Sequence, residues 1–270
     1  MNLRGAVAVV SGASSGIGAA TAVLLSRSGA SAVALLARSR EALEVVASQV
    51  RQNGAEARVY VADLSQLDAI AELGERISRE LGAPNVLVNN AGAGRWLFTE
   101  ETSVSEANSM MTVPYGCAFG LTRAFLPSML ARRSGHIVNL SSPACFMSWP
   151  GATAYAAARW AMRGFSEALE ADLHGTGVDV SLVVPGKVST EYFANNPGSE
   201  QRIPKLASWY RTLGANEVAA MVIDAIEHRR RLVIRPPLLA MSVLWARWFP
   251  ASVRWLLVQS GARRAQLERP

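Results

Sequence analysis

Cysteine, lysine and histidine are all scarce in this sequence, and each scarcity removes a class of function. Only two of 270 residues are cysteines, Cys117 and Cys145. They fall in a predicted helix and in a loop after a predicted strand, which suggests neither a disulfide framework nor a metal cluster. The three histidines, His136, His174 and His228, lie far apart without ligand spacing, so no metal site is expected. Long apolar runs are missing as well. Even in the C-terminal stretch, Arg247 and Pro250 break the apolar sequence well short of the ~20 residues a helix needs to cross a bilayer. The first residues, Met1 to Gly12, read as a strand running into a glycine turn. They lack the apolar core and small-residue cleavage site of a signal sequence, so a cytoplasmic location is expected. Lysine occurs only at Lys187 and Lys205, so nearly every basic residue is arginine. Acids are rare at one end only: from Arg229 onward nine arginines face one acid, Glu268, giving +8 where the whole chain carries +6. The remaining body is therefore slightly acidic.

What is present is a globular composition, half hydrophobic and 18% charged, at a length that one open α/β sheet commonly fills. Val7 to Val10 reads as a buried strand. Ser11-Gly12-Ala13-Ser14-Ser15-Gly16-Ile17-Gly18 follows and leads into an alanine-rich helix to about Ser28. Glycine allows a tight turn and close backbone approach, and a helix amino end offers free N–H groups, so this segment suits a pyrophosphate. A second strand, Ala32 to Leu36, ends in Ala37-Arg38-Ser39. Dinucleotide sites for NAD commonly place an acid here to hold the ribose 2′-hydroxyl. Ala37 stands in that place, and Arg38 beside it suits a 2′-phosphate, so NADP(H) is expected over NAD(H). A third strand, Arg58 to Ala62, runs into Asp63 and Leu64, where Asp63 also has the chemistry of a helix cap. Val86 to Val88 is a fourth strand followed by Asn89-Asn90-Ala91-Gly92. A long helix from about Ser103 to Arg132 contains Pro114, which predicts a kink. The apolar run Ile137 to Ser141 then delivers Ser142 to a strand end. Tyr155 and Arg159 follow, four apart in a predicted helix from Thr153 to Leu173 and so on one face. A permanent cation one turn from a phenol favours the phenolate and suits it to proton exchange.

Ser142, a tyrosine thirteen residues later at Tyr155 and a basic residue four beyond it at Arg159 resemble the active site of the short-chain dehydrogenase/reductase family. The resemblance extends to the glycine loop Gly12, Gly16, Gly18, to Asn89-Asn90-Ala91-Gly92, and to Pro185-Gly186-Lys187-Val188-Ser189-Thr190 after a strand from Val178 to Val184. These motifs span Val7 to Thr190 in family order. The resemblance implies a catalytic set of Ser142, Tyr155 and Arg159. It implies cofactor contacts from Gly12, Ser14, Ser15, Gly16, Ile17, Gly18, Arg38, Asp63, Leu64, Asn90, Ala91, Gly92, Tyr155, Arg159, Pro185, Gly186, Val188 and Thr190. Ala144, Trp149, Tyr192 and Phe193 are candidate substrate contacts. Two positions depart from the family pattern. Arg159 stands where the family has lysine, and Pro114, aligned through Leu126-Pro127, stands where it usually has an active-site asparagine in a proton relay. The chain-wide preference for arginine offers a bland origin for Arg159.

Alternating strands and helices give an α/β, Rossmann-like, doubly wound parallel sheet of about seven strands, the last at Arg231 to Arg235. The expected division is a Rossmann domain over 1–235, with a substrate loop at about 191–215, and an apolar and basic C-terminal extension over 236–270. In the loop, Tyr192, Phe193, Trp209 and Tyr210 either line the substrate site or pack the loop to the body. The extension mixes Trp and Leu with Arg. That composition fits an apolar flap on a pocket or neighbouring subunit, and it fits a helix lying on an anionic membrane. Nucleic acid is not expected, since no binding motif accompanies the charge. Two function classes follow. One is an NADP(H)-dependent oxidoreductase acting on a lipophilic carbonyl or secondary alcohol, as a homodimer or homotetramer. The other is a dinucleotide-binding protein of little catalysis that acts through its C-terminal surface.

Overall fold

The apolar runs that fill Val7–Ser11 (β1) up to its final serine and all of Ala32–Ala37 (β2) have no polar face, which suits strands covered on both sides. A computed structural model, describing residues 1–92 and 94–264, bears this out. Residues 265–270 of the predicted extension, Glu268 among them, lie outside the described residues. After β1 come Gly16–Arg27 (α1), β2, Arg40–Gln52 (α2), Glu56–Val61 (β3), Ile70–Leu81 (α3) and Val86–Asn89 (β4). Val104–Met111 (α4), Cys117–Ala131 (α5), Gly135–Leu140 (β5), Thr153–Asp172 (α6) and Val178–Pro185 (β6) follow. The chain continues through the short strands Val188–Ser189 (β7) and Leu213–Gly214 (β8), then Ala215–Glu227 (α7) and Leu232–Arg235 (β9). Two further helices, Pro237–Trp248 (α8) and Pro250–Ser260 (α9), complete it.

Seven strands form one parallel sheet in the order β3-β2-β1-β4-β5-β6-β9. Alternate residues of each strand feed opposite cores, as the strand period of two requires. Ala8, Val10, Val33 and Leu35 pack with α1, α2 and α7, whereas Val9, Ala34 and Leu36 pack with α3, α5 and α6. The strand order reverses between β1 and β4, which opens a crevice at their carboxyl ends. Gly12 and Asn90 are the first residues beyond those two strands, so the topology itself brings the glycine loop and the Asn-Asn-Ala-Gly segment together.

The predicted long helix is two helices joined by a π-turn at Thr112–Gly116. Pro114 has no N–H to donate, and the widened turn accommodates it without ending the helical path. The C-terminal helices fold back on the body. Leu239 and Val243 of α8 and Val253 and Leu257 of α9 pack on Met147, with Trp149 and Tyr210 against them.

Candidate active site

The carboxyl ends of the strands open into one cleft of about 990 Å³. Its floor at the switch point is set by glycines. Gly12 has φ +66° and a Cβ there would lie 2.9 Å from Asn90 Nδ2, so a side chain is excluded on two grounds. Asn90 in turn donates through Nδ2 to the Ser11 and Gly12 carbonyls at 3.1 Å each, and Ser11 Oγ accepts from the Asn90 and Ala91 N–H groups at 3.0 Å. The two loops are therefore one hydrogen-bonded unit. Ser14, Ser15, Gly16 and Ile17 line the cleft at the amino end of α1, and Arg38, Asp63 and Leu64 line its far end. Asp63 accepts from the Ser65 N–H at 3.0 Å and Ser65 Oγ at 2.8 Å, which holds its carboxyl below the usual carboxylate range. Because α3 begins only at Ile70, Asp63 closes a local turn and caps no helix directly.

The helix carrying Tyr155 and Arg159 is anchored from beneath. Asn89 on β4 donates to Asn139 on β5 at 2.9 Å, Asn139 donates to Ser166 Oγ on α6 at 2.9 Å, and Ser166 donates to the Met162 carbonyl. This buried series of donors fixes α6 against the sheet in one register, although Asn89 Oδ1 at its start has no partner among the described residues. One end of the helix then places Tyr155 and Arg159, 6% and 8% exposed, in the cleft beside Ser142. Ser142 ends the β5 connection, and its Oγ accepts from the Ala144 N–H at 3.2 Å, which leaves the hydroxyl proton to donate elsewhere. The Arg159 guanidinium lies over the Tyr155 ring, 4.8 Å from its centroid. A Cβ at Gly92 would come within 3.0 Å of an Arg159 terminal nitrogen, so the glycine makes room for the broader cation. Arg159 Nε is buried with no hydrogen-bond partner among the described residues. The cleft thus retains a charged donor that only a bound oxygen or water can satisfy.

Above the tyrosine sits an aromatic group that sequence reasoning missed. Trp96 is 5.3 Å from the Tyr155 ring centroid, 5.1 Å from Trp149 and 5.8 Å from Phe193. Its indole N–H donates to Tyr192 Oη at 3.2 Å, and Tyr192 donates to the Gly94 carbonyl at 2.6 Å. Burial, then the neighbouring Tyr155, drives the Tyr192 phenol well above its ordinary value, so Tyr192 stays a neutral hydrogen-bonding strut. The only hint in the sequence was a large aromatic four residues beyond Gly92.

Pro185, Gly186, Val188 and Thr190 also line the cleft, as do Trp149, Tyr192, Phe193 and Tyr210. Three expectations need correction. Ala144 is fully buried and packs behind Tyr155, so it is no substrate contact. Gly18 does not line the cleft; a Cβ there would run into the Gly12 carbonyl, so its absence permits α1 to pack against the loop. Trp209 is 72% exposed and points away from any lining role. From α4 and the π-turn the cleft receives Ser109 and Val113, while Pro114 is buried beside them. Cys117 and Cys145 are free and buried, their thiols pushed up to about 12 and about 11 by burial. Among the described residues no group of three or more His, Cys, Asp or Glu side chains has the arrangement of a metal site.

Comparison with known proteins gives this cleft a context. The family described as short chain dehydrogenase matches residues 6–201. An uncharacterized oxidoreductase of Mycobacterium bovis is 34% identical over 239 residues, covering 87% of this chain and 67% of the relative. A short-chain dehydrogenase/reductase from Burkholderia phymatum, solved in complex with NAD, superposes with a TM-score of 0.82 at 27% identity, over 92% of this chain and 95% of its own. A metagenomic short-chain oxidoreductase in complex with NADP superposes with a TM-score of 0.73 at 32% identity, over 87% and 98%.

Proposed function

The chain belongs to the short-chain dehydrogenase family and is an oxidoreductase dependent on a nicotinamide dinucleotide; we propose that it uses NADP(H) to interconvert a lipophilic carbonyl compound and its secondary alcohol. The observation that carries this reading is the convergence of Ser142, Tyr155 and Arg159 in one cleft with the two interlocked loops at the switch point. The residues present fit the cofactor. Gly12, Ser14, Ser15, Gly16 and Ile17 would hold the pyrophosphate at the amino end of α1. Arg38 would pair with the 2′-phosphate and Asp63 with Leu64 would meet the adenine. Asn90, Ala91, Gly92, Tyr155 and Arg159 would hold the nicotinamide ribose, with Arg159 Nε as the unspent donor. Pro185, Gly186, Val188 and Thr190 would hold the carboxamide.

When bound, the nicotinamide supplies or takes up a hydride at the carbonyl carbon. The chain supplies the rest. The Tyr155 hydroxyl exchanges a proton with the substrate oxygen, and the Ser142 hydroxyl donates to that oxygen and fixes its position. Arg159 and Trp96 both pack against the phenol ring. Pro114 offers no amide side chain, so replacement of the Tyr155 proton proceeds without the relay asparagine of the family. Trp96, Trp149, Phe193, Leu239 and Leu257 make the substrate end of the cleft apolar, which favours a lipophilic substrate.

Titration with both reduced cofactors tests the cofactor choice. NADPH is expected to bind the tighter, and Arg38→Ala to lose roughly ten- to a hundredfold of its affinity, as for one charge-assisted hydrogen bond. Equal or tighter binding of NADH overturns it. A panel of lipophilic ketones and alcohols that neither the wild type nor Arg159→Lys turns over would favour the dinucleotide-binding reading.

A further inference from the structure

Helix α8 is apolar on two sides, and among the described residues only one of them is covered. Leu239 and Val243 face the body, yet Leu238, Met241, Trp245 and Trp248 form a second stripe at intervals of three and four residues. These four are 44%, 66%, 54% and 71% exposed, and Phe249 and Trp255 continue the patch at 62% each. A stripe of this composition on a soluble surface marks a contact. Its charge identifies the partner. Between residues 229 and 264 there are eight arginines and no acid. Arg229, Arg230, Arg231 and Arg264 pair with carboxylates of the body. Arg247 and Arg254, on the same two helices as the stripe, have no carboxylate partner among the described residues and are exposed. A second copy laid on this patch would set Arg247 and Arg254 against their own counterparts, and Glu167 in the adjoining groove is already paired with Arg163. An anionic bilayer offers phosphate groups to the guanidinium ions and an acyl boundary to the Trp, Phe and Met side chains.

A groove of about 930 Å³ beside the stripe repeats the same chemistry. Trp160, Leu244 and Val258 line it together with Arg247, Arg254 and the Arg163–Glu167 ion pair, an apolar wall whose charge remains positive, which suits an acyl chain and its anionic head. No described helix is long and apolar enough to cross a membrane, and α8 and α9 have only 12 and 11 residues. The geometry therefore points to a surface on which the protein docks, through α8 and α9 lying in the headgroup layer of an anionic membrane. Leu239 and Leu257 line the cleft from the inner sides of the same helices. Docking thus brings the membrane boundary beside the cleft, a short route for a lipophilic substrate dissolved in the bilayer. The docking does not depend on the oxidoreductase reading, since it is measured without turnover.

Co-sedimentation of the full chain with vesicles decides it. The wild type should pellet with phosphatidylcholine vesicles containing phosphatidylglycerol at low salt, and much less with phosphatidylcholine alone or at high salt. Arg247→Gln with Arg254→Gln should weaken partitioning roughly thirtyfold, for two charges near an anionic surface. Trp245→Ser with Trp248→Ser should weaken it independently, and since all four residues are exposed, thermal unfolding should match the wild type. The proposal is overturned if the wild type ignores anionic vesicles, or if both double variants partition like the wild type. It is also overturned if the tryptophan variants instead split a dimer that never bound vesicles.

Discussion

Two groups pack against the Tyr155 ring, the Arg159 guanidinium 4.8 Å from its centroid and a tilted Trp96 at 5.3 Å. The four-residue spacing made the helix face legible, but it could not show that the cation stacks on the ring. That packing depends on the flat guanidinium and on the open space at Gly92, which belong to tertiary structure. His136 shows a different residue-scale effect. Ser181 Oγ donates to the Arg230 carbonyl at 2.6 Å, so at 2.7 Å it accepts from His136 Nε2, and Nδ1 is left bare and buried. Burial, reinforced by the amino terminus and Arg229, pushes this imidazole down to about 3. Its folded value lies below the unfolded one near 6.5, so between the two the unfolded chain binds the extra proton. Stability is then present at neutral pH and falls as pH drops through that window. Urea unfolding should show a loss of roughly 2 kcal/mol between pH 7 and pH 5 that is largely absent in His136→Gln. Equal pH dependence in the two proteins would contradict this assignment.

At the scale of elements, the strands and the cofactor loop were readable because their local chemistry and their tertiary role agree. β1 up to Val10 and all of β2 are apolar, and Gly12 sits where only a positive φ closes the turn. The segment between β7 and β8 was not readable, because its order comes from partners far along the chain. Arg202, 6% exposed, reaches the Glu101 carboxylate at 2.6 and 3.0 Å and lies over the Phe98 ring, while Ser199 Oγ accepts from the Trp96 N–H at 2.9 Å. Arg264 lies over the same Phe98 ring and pairs with the neighbouring Glu100. These contacts close the loop over the cleft. Arg202→Met should therefore raise KM by roughly tenfold, for a lost bond worth about 1–2 kcal/mol, and speed proteolysis within 191–212 while leaving kcat near the wild-type value. An unchanged KM and cleavage pattern would show that the pair holds nothing in place.

Across the whole molecule, the parallel sheet and its switch point follow from alternating strands and helices, and they place every loop motif at one crevice. The sequence left open whether the C-terminal stretch was a flap or a membrane surface, because α8 is apolar on two faces and periodicity does not say which one is covered. In the folded chain, Leu239 and Leu257 complete the cleft, while the other face is left uncovered by the described residues. Central to the proposed function is Tyr155 as the group that would move the proton in that cleft. Once a ketone that the wild type reduces with NADPH is in hand, Tyr155→Phe is the direct measurement. The variant should still bind NADPH but lose roughly a hundred- to ten-thousandfold in kcat, the range for a removed general acid; turnover at the wild-type rate would contradict the account.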